Sequence, residues 1–364
     1  MSNIIAEIGL NHGGDLGIAR TLIKQASDAG CWGVKFQFRD IACFYQQKDE
    51  VGDVMIYEEI KRNFVTTKDL GQLASYAKEL NIKFGLSFFR VVDIGQVEEL
   101  LPFIDFFKIP SAECFNRELL LELQKRRKKI FVSTGGHETS AVIKYLYDYR
   151  EEIAVLHCIS NYPTLLGTQD MATIKNYKKS GFVDVGYSSH DSEWEVCLIA
   201  LSQGANWIER HITLSKEMNG LDHSSSSIFT EFNQLVRFSN AFNSILGNSN
   251  HLPNQGELIN LQNLGTSLYA NRNIKIGEKT SAKDYELKAP RIGISSGVFS
   301  DNYHMKAIQK NLKKGQPLLK KHFSDFTEEI NSEVKCFAQR NMIGLPVRLH
   351  DYSLMRKRFE VNTY

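Results

Sequence analysis

Short apolar runs alternate with helical patterns through the first two thirds of the chain, and this alternation constrains the fold more than any other feature. The predicted strands are Ile4–Ile8, Gly33–Phe38, Lys83–Ser87, Ile104–Ile109, Ile130–Ser133, Ile153–Cys158, Val183–Tyr187 and Trp207–His211. The predicted helices are Ile18–Ala29, Lys68–Leu80, Val91–Leu101, Glu118–Arg126, Thr139–Tyr149, Gln169–Lys179, Glu193–Ser202 and Glu231–Ile245. Eight β-α units in about 245 residues predict a (β/α)8 barrel, with a doubly wound open sheet as the alternative.

Polar residues recur at the carboxyl ends of these strands, which favours the barrel because barrel enzymes place their chemistry at that face. The residues concerned are Glu7, Lys35, Gln37, Ser87, Lys108, Ser111, Glu113, Ser133, His157, Ser160, Tyr162, Ser188, His190 and His211. One such residue could be satisfied inside a core. Two lysines, two glutamates and two histidines on one rim predict an active site.

The residue types indicate the chemistry of this predicted site. His190 and His211 follow short apolar runs and suit a shared divalent cation that polarises a carbonyl group. Lysines and small hydroxyls suit a phosphate or carboxylate. The acids Glu7, Glu113 and Asp222 could move protons or hold sugar hydroxyls. The residues alone therefore predict metal-assisted chemistry that joins an anionic phosphate compound to a carbonyl partner.

Composition excludes several other classes of protein. The chain has 364 residues and a net charge of +2, which gives no electrostatic case for nucleic acid or an anionic membrane surface. No apolar run approaches the roughly 20 residues of a membrane span, and the N-terminus lacks the pattern of a signal peptide. The six cysteines form no C-x-x-C pair. We therefore expect a cytoplasmic protein with reduced, buried thiols.

The pattern changes after Gly247, where a polar stretch predicts a linker over 248–266. A weak internal repeat follows, in which R-N-I-K-I-G-E at 272–278 is echoed by K-N-L-K-K-G-Q at 310–316. Each copy is expected to end a short strand and to turn at its glycine. We therefore predict a barrel domain over 1–247 and a second, smaller domain over 267–328.

Several motifs resemble those of the sialic acid synthase (N-acetylneuraminate synthase) family, in that family's order. They are I-A-E-I-G-L-N-H-G-G-D at 5–15, G-V-K-F-Q at 33–37, K-I-P-S-A-E at 108–113, S-T-G at 133–135, L-H-C-I-S-N-Y-P-T at 156–164, G-Y-S-S-H at 186–190 and E-R-H-I-T at 209–213. The resemblance extends over roughly residues 3–325. It implies a TIM barrel followed by a small, mostly-β antifreeze-like (SAF) domain.

The resemblance also implies an activity. Members of the family condense phosphoenolpyruvate with an N-acyl hexosamine-type sugar to give a sialic-acid-like nonulosonic acid, and release phosphate. They use Mn²⁺ or a similar ion, with Mg²⁺ or Co²⁺ as alternatives. The implied partners are phosphoenolpyruvate, an amino-sugar acceptor and a second copy of the chain in a domain-swapped homodimer.

Residue roles follow from the same resemblance. His190 and His211 match the metal ligands, and Glu113, Glu7 and Lys108 are the implied catalytic residues. The implied contacts to phosphoenolpyruvate are Lys35, Lys108, Ser111, Tyr162 and Ser188, with Ser87 and Ser160 at two further polar positions. Gln37 and Asp222 match polar residues around the sugar. For the group that activates water or shuttles protons, we predict Glu113.

Two departures from the family pattern affect these expectations. The family's S-T-P-F reads Leu86-Ser87-Phe88-Phe89 here, which keeps the hydroxyl and loses the proline. The family's K-R-P-G reads Lys288-Ala289-Pro290-Arg291, so the arginine that reaches the sugar's N-acyl group is replaced by alanine. Either Arg291 supplies that contact or the contact is absent. The acceptor is therefore open, and legionaminic- or pseudaminic-type precursors remain alternatives.

Other readings also remain open at this stage. A barrel aldolase or a 3-deoxy-heptulosonate-type synthase would share the chemistry without the appended domain. A non-catalytic sugar-binding barrel would need no metal histidines. For the extension over 329–364, the sequence is compatible with a truncated further domain or with a tail that packs on the second domain or on a neighbouring subunit.

Overall fold

A computed structural model of the protein describes residues 3–39 and 51–323. The chain divides after Asn248 into two compact units, and each is described by itself. The predictions for residues 324–364, including the extension at 329–364, lie outside the described residues.

The first unit is a closed barrel of eight parallel strands in sequence order, in which β1 also pairs with β8. The strands are β1 (Asn3–Gly9), β2 (Gly33–Gln37), β3 (Lys83–Ser87), β4 (Phe106–Ile109), β5 (Lys129–Ser133), β6 (Ile153–Cys158), β7 (Asp184–Ser189) and β8 (Trp207–His211). The predicted (β/α)8 barrel is confirmed and the open-sheet alternative is wrong. Closure places Glu7 opposite His211 across the seam between β1 and β8.

Helices connect the strands of the barrel, and the last of them follows β8. They are α1 (Leu16–Asp28), α2 (Val51–Arg62), α3 (Thr67–Glu79), α4 (Val91–Gln96), α5 (Arg117–Gln124), α6 (Thr139–Leu146), α7 (Ala172–Lys179), α8 (Val196–Ser202) and α9 (Phe229–Leu246). Helix α2 was not predicted. The single helix predicted over Val91–Leu101 instead ends at Gln96 and is followed by a 3₁₀ helix, Glu98–Phe103.

The barrel interior is apolar at the amino ends of the strands and polar at their carboxyl ends. Ile5, Phe106, Phe131 and Trp207 are buried together at the lower level. Gly85 is needed there, because a Cβ at this position would lie 2.1 Å from the ring of Phe106. Side chains alternate between the two faces of a strand, so the residue two positions further along points into the barrel one level higher. That level carries the polar residues predicted for the site.

The second unit contains helix α10 (Gln255–Leu264), strands β9 (Ser267–Ala270) and β10 (Tyr285–Lys288), and helix α11 (Ser296–Asn302). The two copies of the sequence repeat pair with each other through an antiparallel bridge between Ile274 and Leu312. Asn273 accepts a hydrogen bond from the amide of Lys314. In the other copy, the matching Asn311 accepts one from Ile276.

The predicted turns at the repeat glycines are confirmed, since Gly277 and Gly315 both have positive φ angles, of 85° and 79°. The sequence repeat is therefore also a structural repeat, in which residues 272–278 and 310–316 form equivalent turns and bond to each other. Strands had been predicted at these positions, and an isolated bridge forms in their place.

Helix α10 lies within the segment that was predicted to be a linker. Asn254 and Glu257 form a capping box, in which each side chain accepts a hydrogen bond from the other residue's amide. The Pro253-Asn254 pair therefore marks the beginning of a helix, in a segment that had been predicted to be a loop.

Two simpler expectations can also be compared with the described residues. The helices of this part of the chain are all too short or too polar to cross a membrane. Four of the six cysteines, Cys31, Cys114, Cys158 and Cys197, are buried free thiols as predicted.

Candidate active site

Two buried lysine–glutamate pairs lie at the carboxyl ends of the barrel strands. Lys35 on β2 contacts Glu7 on β1 at 2.6 Å and donates a hydrogen bond of 2.7 Å to Ser87 on β3. Across the barrel, Lys108 on β4 donates to Glu209 on β8 at 2.5 Å. All of these side chains are at least 95% buried. The predicted convergence of charged residues from separate strands is thus observed.

Glu209 is a site residue that the sequence reasoning did not assign. Its Oε1 atom accepts hydrogen bonds from Lys108 and, at 3.0 Å, from Ser188. The signal was available, because Glu209 lies between Trp207 and His211 at two-residue spacing on β8. Three alternate positions of one strand point to the same side, so a histidine at the rim predicts that Glu209 lies inside the barrel.

The pKa values of Glu7 and Glu209 depart from the ordinary value of a glutamate in opposite directions. Burial raises the pKa of Glu7 above its ordinary value, although Lys35 acts against this change. Burial acts in the same direction on Glu209, but Lys108 and Lys35 outweigh it and hold its pKa at about 2. Burial also lowers the pKa of Lys108, against the attraction of Glu209. Glu209 is therefore ionised at neutral pH, whereas Glu7 is better suited to carry a proton.

The two predicted metal ligands lie side by side. The ring centroids of His190 and His211 are 5.4 Å apart. The Nδ1 atom of His190 is 2.8 Å from the carbonyl oxygen of Ile159, an arrangement that places the proton on Nδ1 and leaves Nε2 as an acceptor. The Nδ1 atom of His211 lies 3.4 Å from a carboxylate oxygen of Asp222. Burial, reinforced by His190, lowers the pKa of His211 well below its ordinary value, which favours a neutral imidazole.

Hydroxyl groups line the wall between the lysines and the histidines. Ser111 accepts a hydrogen bond of 3.0 Å from the amide of Gly135. A Cβ at Gly135 would lie 2.1 Å from the hydroxyl of Ser160 and 3.0 Å from that of Ser111. Only glycine therefore lets these two hydroxyls approach the same backbone. The ring of Tyr162 packs against the ring of His190 at a tilt of 35°, with 4.0 Å between ring centroids.

These groups enclose a cavity of about 240 Å³. Eleven of the predicted site residues line it: Glu7, Lys35, Gln37, Ser87, Lys108, Ser111, Ser160, Tyr162, Ser188, His190 and His211. Arg39, Phe89, Ser133, Cys158 and Glu209 are among the residues that also line it. Gln37 donates a hydrogen bond of 3.0 Å to Glu7 and accepts one of 3.1 Å from Arg39.

Three predicted site residues lie outside the cavity lining. Glu113 accepts a hydrogen bond of 2.8 Å from Asn116, so the second glutamate of the cavity is Glu209. Asp222 is buried behind His211. Arg291 belongs to the second unit, where it lines a separate cavity with Lys320 and Lys321. The roles assigned to these three residues stay predictions.

Fold and cavity together define a (β/α)8 barrel whose cavity contains two lysine–glutamate pairs beside two histidines. The model of the NeuB family matches residues 22–251 of the chain. The chain is 31% identical to the N,N'-diacetyllegionaminic acid synthase of Campylobacter jejuni, over 86% of this chain and 97% of that protein. It is 30% identical to the human N-acetylneuraminate-9-phosphate synthase, over 76% and 79% respectively.

A solved structure of the N-acetylneuraminic acid synthetase from Leptospira borgpetersenii matches 71% of this chain and 90% of that one, with a TM-score of 0.62 and 27% identity. The chain belongs to the NeuB family. The prediction of a phosphoenolpyruvate-dependent, carbon–carbon bond-forming synthase is thereby confirmed at the level of the family.

Proposed function

We propose that the protein condenses phosphoenolpyruvate with an N-acyl hexosamine-type aldehyde sugar, giving a nonulosonic acid and phosphate. The observation that carries this proposal is that two lysines and two histidines line the same cavity. The ammonium groups suit the two anionic groups of phosphoenolpyruvate, and the imidazoles suit a cation next to a carbonyl group. The relatives are named for several nonulosonic acids, so the acceptor of this chain stays part of the proposal.

We propose that the cavity binds a divalent metal ion, Mn²⁺, with Mg²⁺ and Co²⁺ as alternatives. The neutral His211 and the free Nε2 of His190 are the donors. Among the described residues, no group of three or more histidine, cysteine or acidic side chains could hold a metal. The remaining ligands would therefore come from the substrate or from water, as in catalytic sites that keep open positions. When bound, such an ion would make the aldehyde carbon of the sugar more electrophilic.

The residues of the cavity would bind phosphoenolpyruvate, stabilise charge and transfer a proton. Lys35, Lys108 and Ser188 would hold the phosphate and carboxylate, so that C3 of phosphoenolpyruvate faces the aldehyde carbon. Bond formation leaves cationic character at C2, which the ionised Glu209 would stabilise by its negative charge. Water adds at C2, and the tetrahedral intermediate loses phosphate by cleavage of the C–O bond. The raised pKa of Glu7 suits it to move a proton in these steps.

The second unit is also part of the proposed active site. We propose that it is an antifreeze-like domain that closes the barrel of a partner subunit in a homodimer, and that Arg291 contacts the acceptor in place of the missing arginine at position 289. Arg291→Ala is then expected to raise the KM for the acceptor more than the KM for phosphoenolpyruvate. Equal effects on both constants would contradict this role.

The test of the reaction is phosphate release from phosphoenolpyruvate with Mn²⁺ and a panel of N-acyl hexoses. We expect release only with an acceptor, and a loss of most activity in His190→Ala, which lacks half of the protein's metal ligation. His251→Ala is the matched control, because that side chain is exposed and contacts Glu257. No release with any acceptor would favour a sugar-binding protein. Near-normal turnover of His190→Ala after metal removal would show that the metal assignment is wrong.

A further inference from the structure

One arginine lies behind the two histidines, on the outer face of the barrel wall. Arg210 is on β8 between Glu209 and His211, so its side chain points away from the cavity. It is completely buried, which is unusual for an arginine and requires that its donors be satisfied. Its Nη1 atom donates to Ser189 at 2.7 Å and its Nε atom donates to Ser227 at 2.6 Å.

The same guanidinium group also reaches Asp191, the residue after His190. Its Nη2 atom donates to the backbone oxygen of Asp191 at 2.9 Å. The Asp191 carboxylate in turn accepts hydrogen bonds from Ser189 at 2.8 Å, from Tyr187 at 2.7 Å and from Gln169 at 2.9 Å. Asp191 is also completely buried. Ser189 therefore connects arginine to carboxylate, since it accepts from the first and donates to the second.

The two ends of this network adjoin the two histidines. Ser189 and Asp191 flank His190 on either side. At the other end, the amide of Ser227 donates a hydrogen bond of 2.8 Å to the backbone oxygen of His211. Arg210 thus links the backbone on either side of His190 to Ser227, whose amide is bonded to His211.

We propose that Arg210 is a positioning residue that sets the separation of His190 and His211. This inference rests on the proposed function, in which the two imidazoles share one ligand. The guanidinium fork is planar and preorganised, so it can hold three acceptors in one geometry. A lysine has a single nitrogen, which cannot reach all of them. Small displacements matter at such a site, because ligands must be held within about 0.5 Å of the productive geometry.

The experiment compares wild-type protein with Arg210→Met and Arg210→Lys by calorimetric titration with Mn²⁺ in the absence of substrates. Loss of residues that orient metal ligands typically costs 10- to 100-fold in metal affinity, and we expect a weakening of this size in both variants. Ser227→Ala is a milder variant, because it removes one acceptor and leaves the arginine in place. It is expected to fold even if Arg210→Met does not, and to weaken Mn²⁺ binding less. Affinity for phosphoenolpyruvate without metal should change by less than about threefold, because Lys35 and Lys108 do not contact the network.

Leu123→Ala provides the control for general destabilisation. Leu123 is fully buried on α5. Its truncation therefore lowers the melting temperature and leaves the hydrogen bonds of Arg210 intact. Weaker Mn²⁺ binding in this control to the same degree as in the arginine variants would overturn the proposal. Unchanged Mn²⁺ affinity in all three network variants would also overturn it.

Failure of the proposed metal site gives a different result, namely no Mn²⁺ binding by the wild-type protein. In that case the positions of the His190 and His211 rings are compared in crystal structures of the wild type, of Ser227→Ala and of Arg210→Lys. A changed separation of the His190 and His211 rings supports the positioning role, and an unchanged separation overturns it.

Discussion

At the scale of single residues, the main feature is that each buried charge in the cavity has a partner on another strand. Lys108 and Glu209 are 101 positions apart in the sequence, and both are at least 95% buried. A buried charge without a partner is expensive, while an intact pair can be close to neutral in its net contribution. Stability alone therefore does not account for this pair, and the proposed function gives it a role in the site.

A double-mutant cycle on this pair tests that interpretation. Lys108→Met and Glu209→Gln should each cost about 3–5 kcal/mol, because each leaves the other charge buried and unpaired. The double variant should be clearly more stable than the sum of the single effects predicts, with a coupling of about 1–3 kcal/mol. The measurement is urea unfolding at neutral pH.

An exposed pair supplies the matched control for this cycle. Lys125 and Glu122 are 2.5 Å apart on the surface, and the lysine is 68% exposed. Their coupling should be at most about 0.5 kcal/mol. Additive effects at Lys108 and Glu209 would mean that the buried pair does not act as a unit.

At the scale of secondary structure elements, one carboxylate joins three strands at the amino end of the barrel. Asp184 begins β7 and accepts hydrogen bonds from Asn206 at 2.7 Å and from Trp207 at 3.0 Å, at the start of β8. It also forms an ion pair with Lys129 at the start of β5. Burial alone would raise its pKa, but the bonds to Lys129 and Trp207 lower it below the ordinary value.

Asp184→Asn should destabilise the barrel by about 1–3 kcal/mol at neutral pH, since the amide has only one acceptor atom for three donors. Because the folded-state pKa is depressed, the carboxylate's contribution is complete above the unfolded value of about 3.9 and is lost as the pH falls through the folded value. The difference in free energy of unfolding between wild type and variant should therefore shrink only below about pH 4.

Thermal unfolding at a series of pH values checks this expectation. Asp28→Asn is the control, because Asp28 forms an exposed ion pair with Lys24 on α1, and such pairs contribute about 0–1 kcal/mol. If Asp184→Asn were as mild as Asp28→Asn, the connection between the strands would not stabilise the barrel.

At the scale of the whole molecule, the proposed homodimer makes a prediction about mixtures of two defective variants, assayed at an acceptor concentration too low to saturate Arg291→Ala. If Arg291 acts in the barrel of a partner subunit, a heterodimer of His190→Ala and Arg291→Ala chains contains one site with both defects and one intact site. Random pairing of co-expressed chains would then restore about a quarter of wild-type activity. Activity no greater than that of the two variants measured separately would exclude a shared site.

Local patterns in the sequence determined the architecture of the first unit. Strand and helix periodicities depend only on neighbouring residues, so eight β-α units could be counted and the barrel predicted, with most strand bounds close to those observed. Polar residues at or just beyond the carboxyl ends of the predicted strands also indicated the site, and most of them line the cavity. The family motifs carried the remaining assignments, because their order and spacing are themselves sequence properties.

Only the tertiary structure decided which of these residues meet. Whether Glu113 or Glu209 is the second glutamate of the cavity depends on the register and closure of the strands, which no local pattern specifies. The same is true of Arg210, whose partners come from segments 17 to 21 positions away, and of the two repeat copies that pair through Ile274 and Leu312. Helix α10 was misjudged because its capping residues are the same types that form loops. Contacts between distant segments depend on how packed elements face one another, so they become visible only once the chain has folded.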